Sequence, residues 1–164
     1  LAILHAEEIA AASPKTRCLI MGTSDLATDL NALHTPHREP FATSLSICLL
    51  AARAYGLTAL DGVYLDLKND DGFEAACHQG RQFGFDGKTL IHPKQLAAAN
   101  DAFGLTAEDV AYAKKIIAAF EEVQKEGKFV VLVDGKLIEI LHVEIAKREV
   151  EMAETIAALE ADLA

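Results

Sequence analysis

Three segments of the sequence place a polar side chain directly after a short apolar run. Asp25 follows the run Cys18–Met21, Asp66 ends a second run, and His92 ends a third. Each of these segments is followed by a helical pattern. In α/β barrels, acids and other polar groups at the carboxyl ends of buried parallel strands carry the chemistry. We therefore predict that the three segments form part of an active-site rim.

Each candidate also has a structural interpretation. Asp25 stands where a helix could begin, and Asp is a preferred N-cap residue. Ser24 could serve only in a turn, and His92, which precedes a proline, could be a structural hydrogen-bonding group. Arg38, in a loop rich in turn residues, could meet an anion, but a surface position is favoured. Lys88 precedes the third apolar run, which predicts a place at the opposite, stability face of the barrel.

The composition and net charge of the chain indicate which classes of protein and which partners it can be expected to have. The chain has 164 residues, 51% of them hydrophobic and 24% charged, which suits one folded domain with a substantial core. Its net charge of −10 argues against nucleic acid or an anionic membrane as partner. Cys18, Cys48 and Cys77 show no CxxC spacing and indicate reduced core residues in a cytoplasmic protein. The histidines show no ligand spacing, so no zinc site is predicted.

Strand and helix patterns alternate in the first part of the chain. The periodicity predicts helices at 1–12, 43–55 and 71–83, strands at 18–21, 59–65 and 89–91, and a long loop at 26–40. This order indicates right-handed βαβ units with a parallel sheet. The pattern then changes to a helix after Thr106, a hairpin at Asp134-Gly135 and a final helix from Leu141. We therefore predict two parts, a βα-repeat domain at 1–103 and a helix-hairpin-helix extension at 104–164.

Three βα units leave both edges of a parallel sheet open, and such a sheet needs cover on both faces. More chain or another copy is therefore expected to complete it. The chain also opens at Leu1, without Met and directly in a helical pattern. We interpret this start as a sign that the sequence belongs to something longer.

Four segments together resemble the HpcH/HpaI aldolase and citrate lyase β-subunit-like family, within it most nearly the CoA ester lyases related to malyl-CoA lyase. They are MGTSDLATDL, SICLLAARAYGLTALDGVYLDLKNDDGF, GFDGKTLIHPKQ and VLVDGKLIEILHVEIAKR. The resemblance covers essentially the whole chain in unbroken order. It implies a (β/α)8 TIM barrel of which this chain holds strands six to eight, followed by a C-terminal helix-hairpin-helix extension. In the family, that extension caps the active site of a neighbouring subunit, which implies a homo-oligomer, a trimer or hexamer.

The resemblance also implies a reaction and a metal. Family members cleave a 3-hydroxyacyl-CoA to an acyl-CoA and a 2-oxo acid such as glyoxylate, with Mg²⁺ held by an Asp and a Glu. The Asp matches Asp25, whereas the Glu and an active-site arginine would lie before Leu1. A hard cation that chelates the substrate oxygens favours this carbon–carbon cleavage. The expected activity is thus a Mg²⁺-dependent CoA ester lyase.

Further site residues follow from the same resemblance. Ser24 and Asp25 match positions that contact the substrate, and Ile91 and His92 match positions where the family contacts its CoA ester. Glu139 matches the acidic acid-base residue of the capping extension, where the malyl-CoA lyase type usually has Asp. Two alternatives stay open: a non-catalytic truncated chain that only self-assembles, and a 2-oxo acid aldolase that does not use CoA.

Overall fold

The computed structural model describes residues 2–163, which form seven α-helices and five β-strands. The chain divides into two compact units, one up to Gly104 and one from Leu105 onward. The helices of the first unit are α1 Ala6–Ala11, α2 Thr23–Leu30, α3 Ala42–Ala54, α4 Asp70–Phe83 and α5 Leu96–Phe103. Its strands are β1 Cys18–Ile20, β2 Thr58–Asp61 and β3 Gly87–Lys88. Leu1, where the first helix was predicted to begin, lies outside the described residues.

A parallel sheet in the order β1-β2-β3 holds the first unit together, as the alternation of strands and helices predicts. Ile20 pairs with Leu60, and Leu60 pairs with Gly87, so the carboxyl ends of all three strands meet at one edge. A core of α1, α3 and the sheet includes Phe41, Leu45 and other fully or nearly buried side chains. The α/β prediction is therefore confirmed.

Three boundaries differ clearly from the sequence prediction. The second strand, predicted at 59–65, ends at Asp61, because its pairing with β3 stops there, so Asp61 and not Asp66 stands at its carboxyl end. Residues 26–30, assigned to a loop, belong to α2, because Gly22 begins the helix and Asn31 ends it in the left-handed conformation with φ 51°. The third strand is Gly87–Lys88 rather than 89–91, because its register is set by pairing with Leu60 and Asp61. The loop prediction followed prolines that in fact come after α2.

The second unit contains α6 Ala107–Lys125, a hairpin of β4 Val130–Val133 and β5 Lys136–Glu139, and α7 Ile140–Leu163. Thr106 and Asp109 form a capping box at the start of α6. Asp134 and Gly135 make the hairpin turn with φ of 50° and 77°, as Asp-Gly predicts. The core of this unit includes Phe120, Val133 and Ile138. None of the helices, over the residues described, is both long and apolar enough to cross a membrane.

Candidate functional site

Asp25 lies at the carboxyl end of β1, as predicted. It is the third residue of α2, and Gly22 rather than Asp25 is the N-cap, so the simple capping interpretation is wrong. The Asp25 side chain is exposed, and within residues 2–163 no hydrogen bond or ion pair to its carboxylate is found. An uncompensated carboxylate in the first turn of a helix is stabilised by the helix dipole. Asp25 is therefore available to a cation.

Ser24 and Thr23 shape the turn that carries Asp25. The Ser24 hydroxyl is buried and has no hydrogen-bond partner within the described chain. A Cβ added at Gly62 would lie 2.4 Å from Thr23 Oγ1 and 2.9 Å from the Met21 carbonyl oxygen. Glycine at this position therefore lets the segment after β2 approach the turn closely. A buried hydroxyl without a partner, like that of Ser24, is uncommon in folded proteins.

Ile91 and His92 follow β3 at the same edge of the sheet as Asp25. The Ile91 side chain is exposed, and its backbone N–H donates to Gln95 Oε1 at 3.1 Å. His92 precedes a short 3₁₀ turn, and its Nδ1 accepts the Lys94 backbone N–H at 3.1 Å. His92 thus forms a structural hydrogen bond, as the alternative interpretation expected. Its contact with a substrate stays a prediction.

Glu139 lies in the second unit, as the last residue of β5. It is exposed, and its backbone N–H donates to His142 Nδ1 at 3.0 Å. No hydrogen bond or ion pair to its carboxylate is found in the described part of the chain. Its acid-base role therefore stays a prediction.

A buried charge cluster at the end of β2 was not predicted. Asp61 is fully buried, and Arg38 Nη1 lies 2.7 Å from each of its carboxylate oxygens. Lys88 Nζ lies 2.9 Å from Asp61 Oδ2, and the Lys88 side chain is 1% exposed. The surface position favoured for Arg38 is wrong, because its side chain is only 11% exposed. The opposite-face position for Lys88 is also wrong, because Lys88 pairs with the last residue of β2.

Helix α4 ties this cluster to the loop before α3. Arg38 Nε donates to Gln79 Oε1 at 2.6 Å, and Gln79 Nε2 donates to the His37 carbonyl oxygen at 2.6 Å. Burial lowers the pKa of Lys88 below its ordinary value, and the neighbouring Asp61 carboxylate opposes that change. The signal available in the sequence was Asp61 itself, an acid at the end of an apolar run.

The residues described contain no group of three or more His, Cys, Asp or Glu side chains that could hold a metal ion. They do supply one suitable oxygen ligand at the sheet edge, the free carboxylate of Asp25. Mg²⁺ is commonly bound through one or two carboxylates and keeps several waters. Asp25 therefore fits the role of one Mg²⁺ ligand.

Comparison with known proteins places these features in a family. The model of the HpcH/HpaI aldolase/citrate lyase family matches residues 1–93. The chain belongs to this family. A (3S)-malyl-CoA thioesterase of Cereibacter sphaeroides is 49% identical over 158 residues, which cover 96% of this chain and 55% of that protein. An L-malyl-CoA/beta-methylmalyl-CoA lyase of the same species is 32% identical, over 95% of this chain and 54% of that protein.

A solved structure gives the fold of the family. It is that of CitE from Mycobacterium tuberculosis in complex with magnesium, acetoacetate and coenzyme A. The TM-score is 0.72 at 26% identity, with 92% of this chain and 57% of that chain covered. The predicted membership is confirmed, and with it membership in a family of enzymes. The chain spans about half the length of the curated relatives it matches.

The predicted lyase activity is contradicted by these comparisons. The thioesterases, which are hydrolases, share 47–49% of residues with this chain, whereas the malyl-CoA lyases share 32%. A thioesterase and a lyase both match nearly the whole chain, 96% and 95% of it, so relatives with either activity share its segments. The four segments on which the prediction rested therefore do not separate hydrolysis from carbon–carbon cleavage.

Proposed function

We propose that the protein is a thioesterase that hydrolyses a hydroxyacyl-CoA of the malyl-CoA type. The observation that carries the proposal is the 49% identity to a (3S)-malyl-CoA thioesterase along 96% of the chain. Water adds to the thioester carbonyl carbon, the carbon–sulfur bond breaks, and the CoA sulfur leaves as a thiolate that takes up a proton. The products are the free hydroxy acid and CoA.

Asp25 is the proposed Mg²⁺ ligand in this site. Its carboxylate is exposed and has no partner among the described side chains, and the CitE structure with magnesium supports use of that ion. When bound, Mg²⁺ supplies Lewis-acid polarisation of a substrate oxygen. Ser24 supports the same site, because its buried hydroxyl has no partner in the described residues and could bond a substrate oxygen.

The remaining site residues take roles that hydrolysis requires. We assign Glu139 as the general base that removes a proton from the attacking water, since its carboxylate is exposed and has no partner in the described part of the chain. Ile91 and His92 are assigned to contact the CoA ester, because they follow β3 at the sheet edge that carries Asp25. The same residues that the family resemblance indicated for carbon–carbon cleavage are thus assigned to hydrolysis of the thioester bond.

We also propose a homo-oligomer in which the second unit covers the site of a neighbouring copy. The observation in favour is a group of exposed apolar side chains in that unit. Phe129 is 70% exposed, Leu132 69% and Leu141 63%. Apolar surface of this kind is characteristic of interaction sites. A trimer or hexamer is the expected state.

A product assay with a matched pair of variants tests the hydrolase assignment. Purified protein is incubated with (3S)-malyl-CoA and Mg²⁺, and malate, CoA, acetyl-CoA and glyoxylate are separated by chromatography. We expect malate and CoA in equal amounts. Asp25→Asn should lower the rate about a hundredfold or more, because the amide is a poor ligand for a hard cation.

Asp29→Asn is the control, since Asp29 is exposed on the same helix one turn later and undergoes the same change of charge. Its turnover should equal that of the wild type. Release of acetyl-CoA with glyoxylate, or equal rates for the two variants, would contradict the proposal.

A further inference from the structure

A cavity of about 690 Å³ opens in the first unit beside the buried charge cluster. It is lined by the loop 34–38, by the segment 63–66 after β2, by one face of α4, and by Lys88. Thr23 also lines it, whereas Ser24 and Asp25 do not. Cavities of this size accommodate small organic ligands.

The charges around this cavity favour an anion. Arg38 and Lys88 both line it, and both contact the one carboxylate of Asp61, so the cluster has two positive charges and one negative. Lys88 alone would neutralise Asp61. A surplus charge in a buried cluster costs free energy unless a counter-ion offsets it. Asp66 is the one carboxylate among the described lining residues, and it is exposed and accepts the Lys68 backbone N–H.

Arg38 also has hydrogen-bonding capacity left over. Its Nε is bonded to Gln79 and its Nη1 to Asp61, but Nη2 is buried and has no partner in the described structure. Leaving charged donors unsatisfied is unfavourable, and a carboxylate or phosphate oxygen is the acceptor that arginine binds best. The backbone of Arg38 is in the left-handed conformation, with φ 55°, which is uncommon for a residue other than glycine.

The rest of the lining suits an organic molecule rather than a bare ion. His34, His37 and His78 line the cavity, and an imidazole ring is able to donate hydrogen bonds. Val63 and Leu65, in the segment after β2, contribute apolar surface to the lining. Charged, hydrogen-bonding and apolar groups thus surround one volume.

We propose that this cavity is a binding site for a small organic anion, a carboxylate or a phosphate ester, held by Arg38 and the positive cluster beneath it. The site is independent of the proposed hydrolysis, since it uses neither Asp25 nor Glu139. The ligand could come from either of two sources, a carboxylic acid or a nucleotide phosphate, because both offer anionic oxygens that accept hydrogen bonds from arginine. Three probes separate these sources: malate, adenosine 3′,5′-bisphosphate and inorganic phosphate.

Binding to the full chain is measured by titration calorimetry and by amide NMR shifts without Mg²⁺. We expect saturable binding of malate or of the bisphosphate, tighter than that of inorganic phosphate, with shifts in residues 34–38 and α4. Arg38→Gln should weaken binding by about tenfold or more, because a charge-assisted hydrogen bond is lost. Arg53→Gln is the control, since Arg53 pairs with Asp86 outside the cavity.

A second pair of variants leaves the buried cluster intact in case Arg38→Gln is unstable. Ala75 is exposed on α4 and lines the cavity, so Ala75→Glu places a negative charge beside the ligand. We expect Ala75→Glu to weaken binding severalfold and its neutral counterpart Ala75→Gln to have a clearly smaller effect. Asp25→Asn should bind as the wild type does.

Several outcomes would overturn the proposal. These are no saturable binding of any probe, equal binding by the Glu and Gln variants at position 75, or loss of binding in Asp25→Asn. Tighter binding of inorganic phosphate than of both organic probes would also contradict it, because the apolar lining would then have no role.

Discussion

Asp25 and Asp61 are carboxylates at the ends of neighbouring strands, yet their surroundings are opposite. Asp25 is exposed and has no partner within residues 2–163, whereas Asp61 is fully buried between Arg38 and Lys88. A free carboxylate is suited to bind a metal ion or substrate. A buried carboxylate with two cations, like that of Asp61, holds the sheet, α4 and the loop 34–38 together. At the scale of the residue, exposure and partners separate the two roles.

Removing the charge of Asp61 should destabilise the protein strongly. In Asp61→Asn, two buried cations lose their common partner, and breaking a buried ion pair costs about 3–5 kcal/mol. Urea unfolding followed by circular dichroism measures the change in free energy of unfolding. Asp70→Asn is the control, because the Asp70–Lys94 pair is exposed and contributes at most about 1 kcal/mol. Similar losses in both variants would show that Asp61 is not a structural charge.

At the scale of the element, α4 approaches the sheet unusually closely. Gly80 on this helix is buried, and a Cβ there would lie 2.8 Å from Asp61 Oδ2 and 3.1 Å from Phe103 Cζ. Neither neighbour can move freely, because Asp61 is held by its cations and Phe103 packs against the core. The small residue therefore allows the helix to cover the charge cluster.

Gly80→Ala should lower stability even though Ala favours helices over Gly by about 1 kcal/mol. Overpacking at a tight contact costs about 1–3 kcal/mol, which outweighs the gain in helix propensity. The melting temperature measures the net effect. Gln82→Ala, at an exposed position of the same helix, should change stability by no more than about 0.5 kcal/mol. A more stable Gly80→Ala variant would refute the close contact.

The third strand shows why element boundaries needed the structure. Leu90 and Ile91 are apolar and favoured a strand, but pairing ends at Lys88. Thr89 then donates its backbone N–H to the Asp61 carbonyl oxygen at 3.0 Å, and the Gln95 side chain bonds Ile91. Asp61 lies 28 residues from Thr89 along the chain, whereas the Gln95 contact is local. Local apolarity alone therefore placed the strand two residues too late.

At the scale of the whole molecule, each of the two units has its own core. Phe120 is 2% exposed in the core of the second unit, whereas Phe129 in the same unit is 70% exposed. Truncating a buried phenylalanine removes apolar contacts and leaves a cavity. The same substitution at an exposed position removes little buried surface.

Phe120→Ala should destabilise the second unit by about 3–5 kcal/mol. Amide hydrogen exchange measured by mass spectrometry should show the greatest loss of protection in segments 107–125 and 130–150. Phe129→Ala should leave the same segments protected as in the wild type. Exchange that is unchanged in Phe120→Ala would contradict the assignment of this core.

Features that depend on neighbouring residues in the chain could be predicted before the structure was known. The Asp134-Gly135 turn, the Thr106 cap and the alternation of strands and helices were predicted because local backbone preferences and periodicity decide them. The family resemblance likewise followed from short motifs in order. It did not separate hydrolysis from carbon–carbon cleavage, which comparison with relatives corrected.

The tertiary structure was needed to bring together Asp61, Arg38 and Lys88. It was also needed to show that the Asp25 carboxylate has no partner among residues 2–163. The contacts of Asp61 join residues 23 and 27 positions apart, and the Arg38–Gln79 bond joins residues 41 apart. No local propensity specifies such pairs. They form because packing of helices on the sheet removes these groups from water, and buried charges must then find partners.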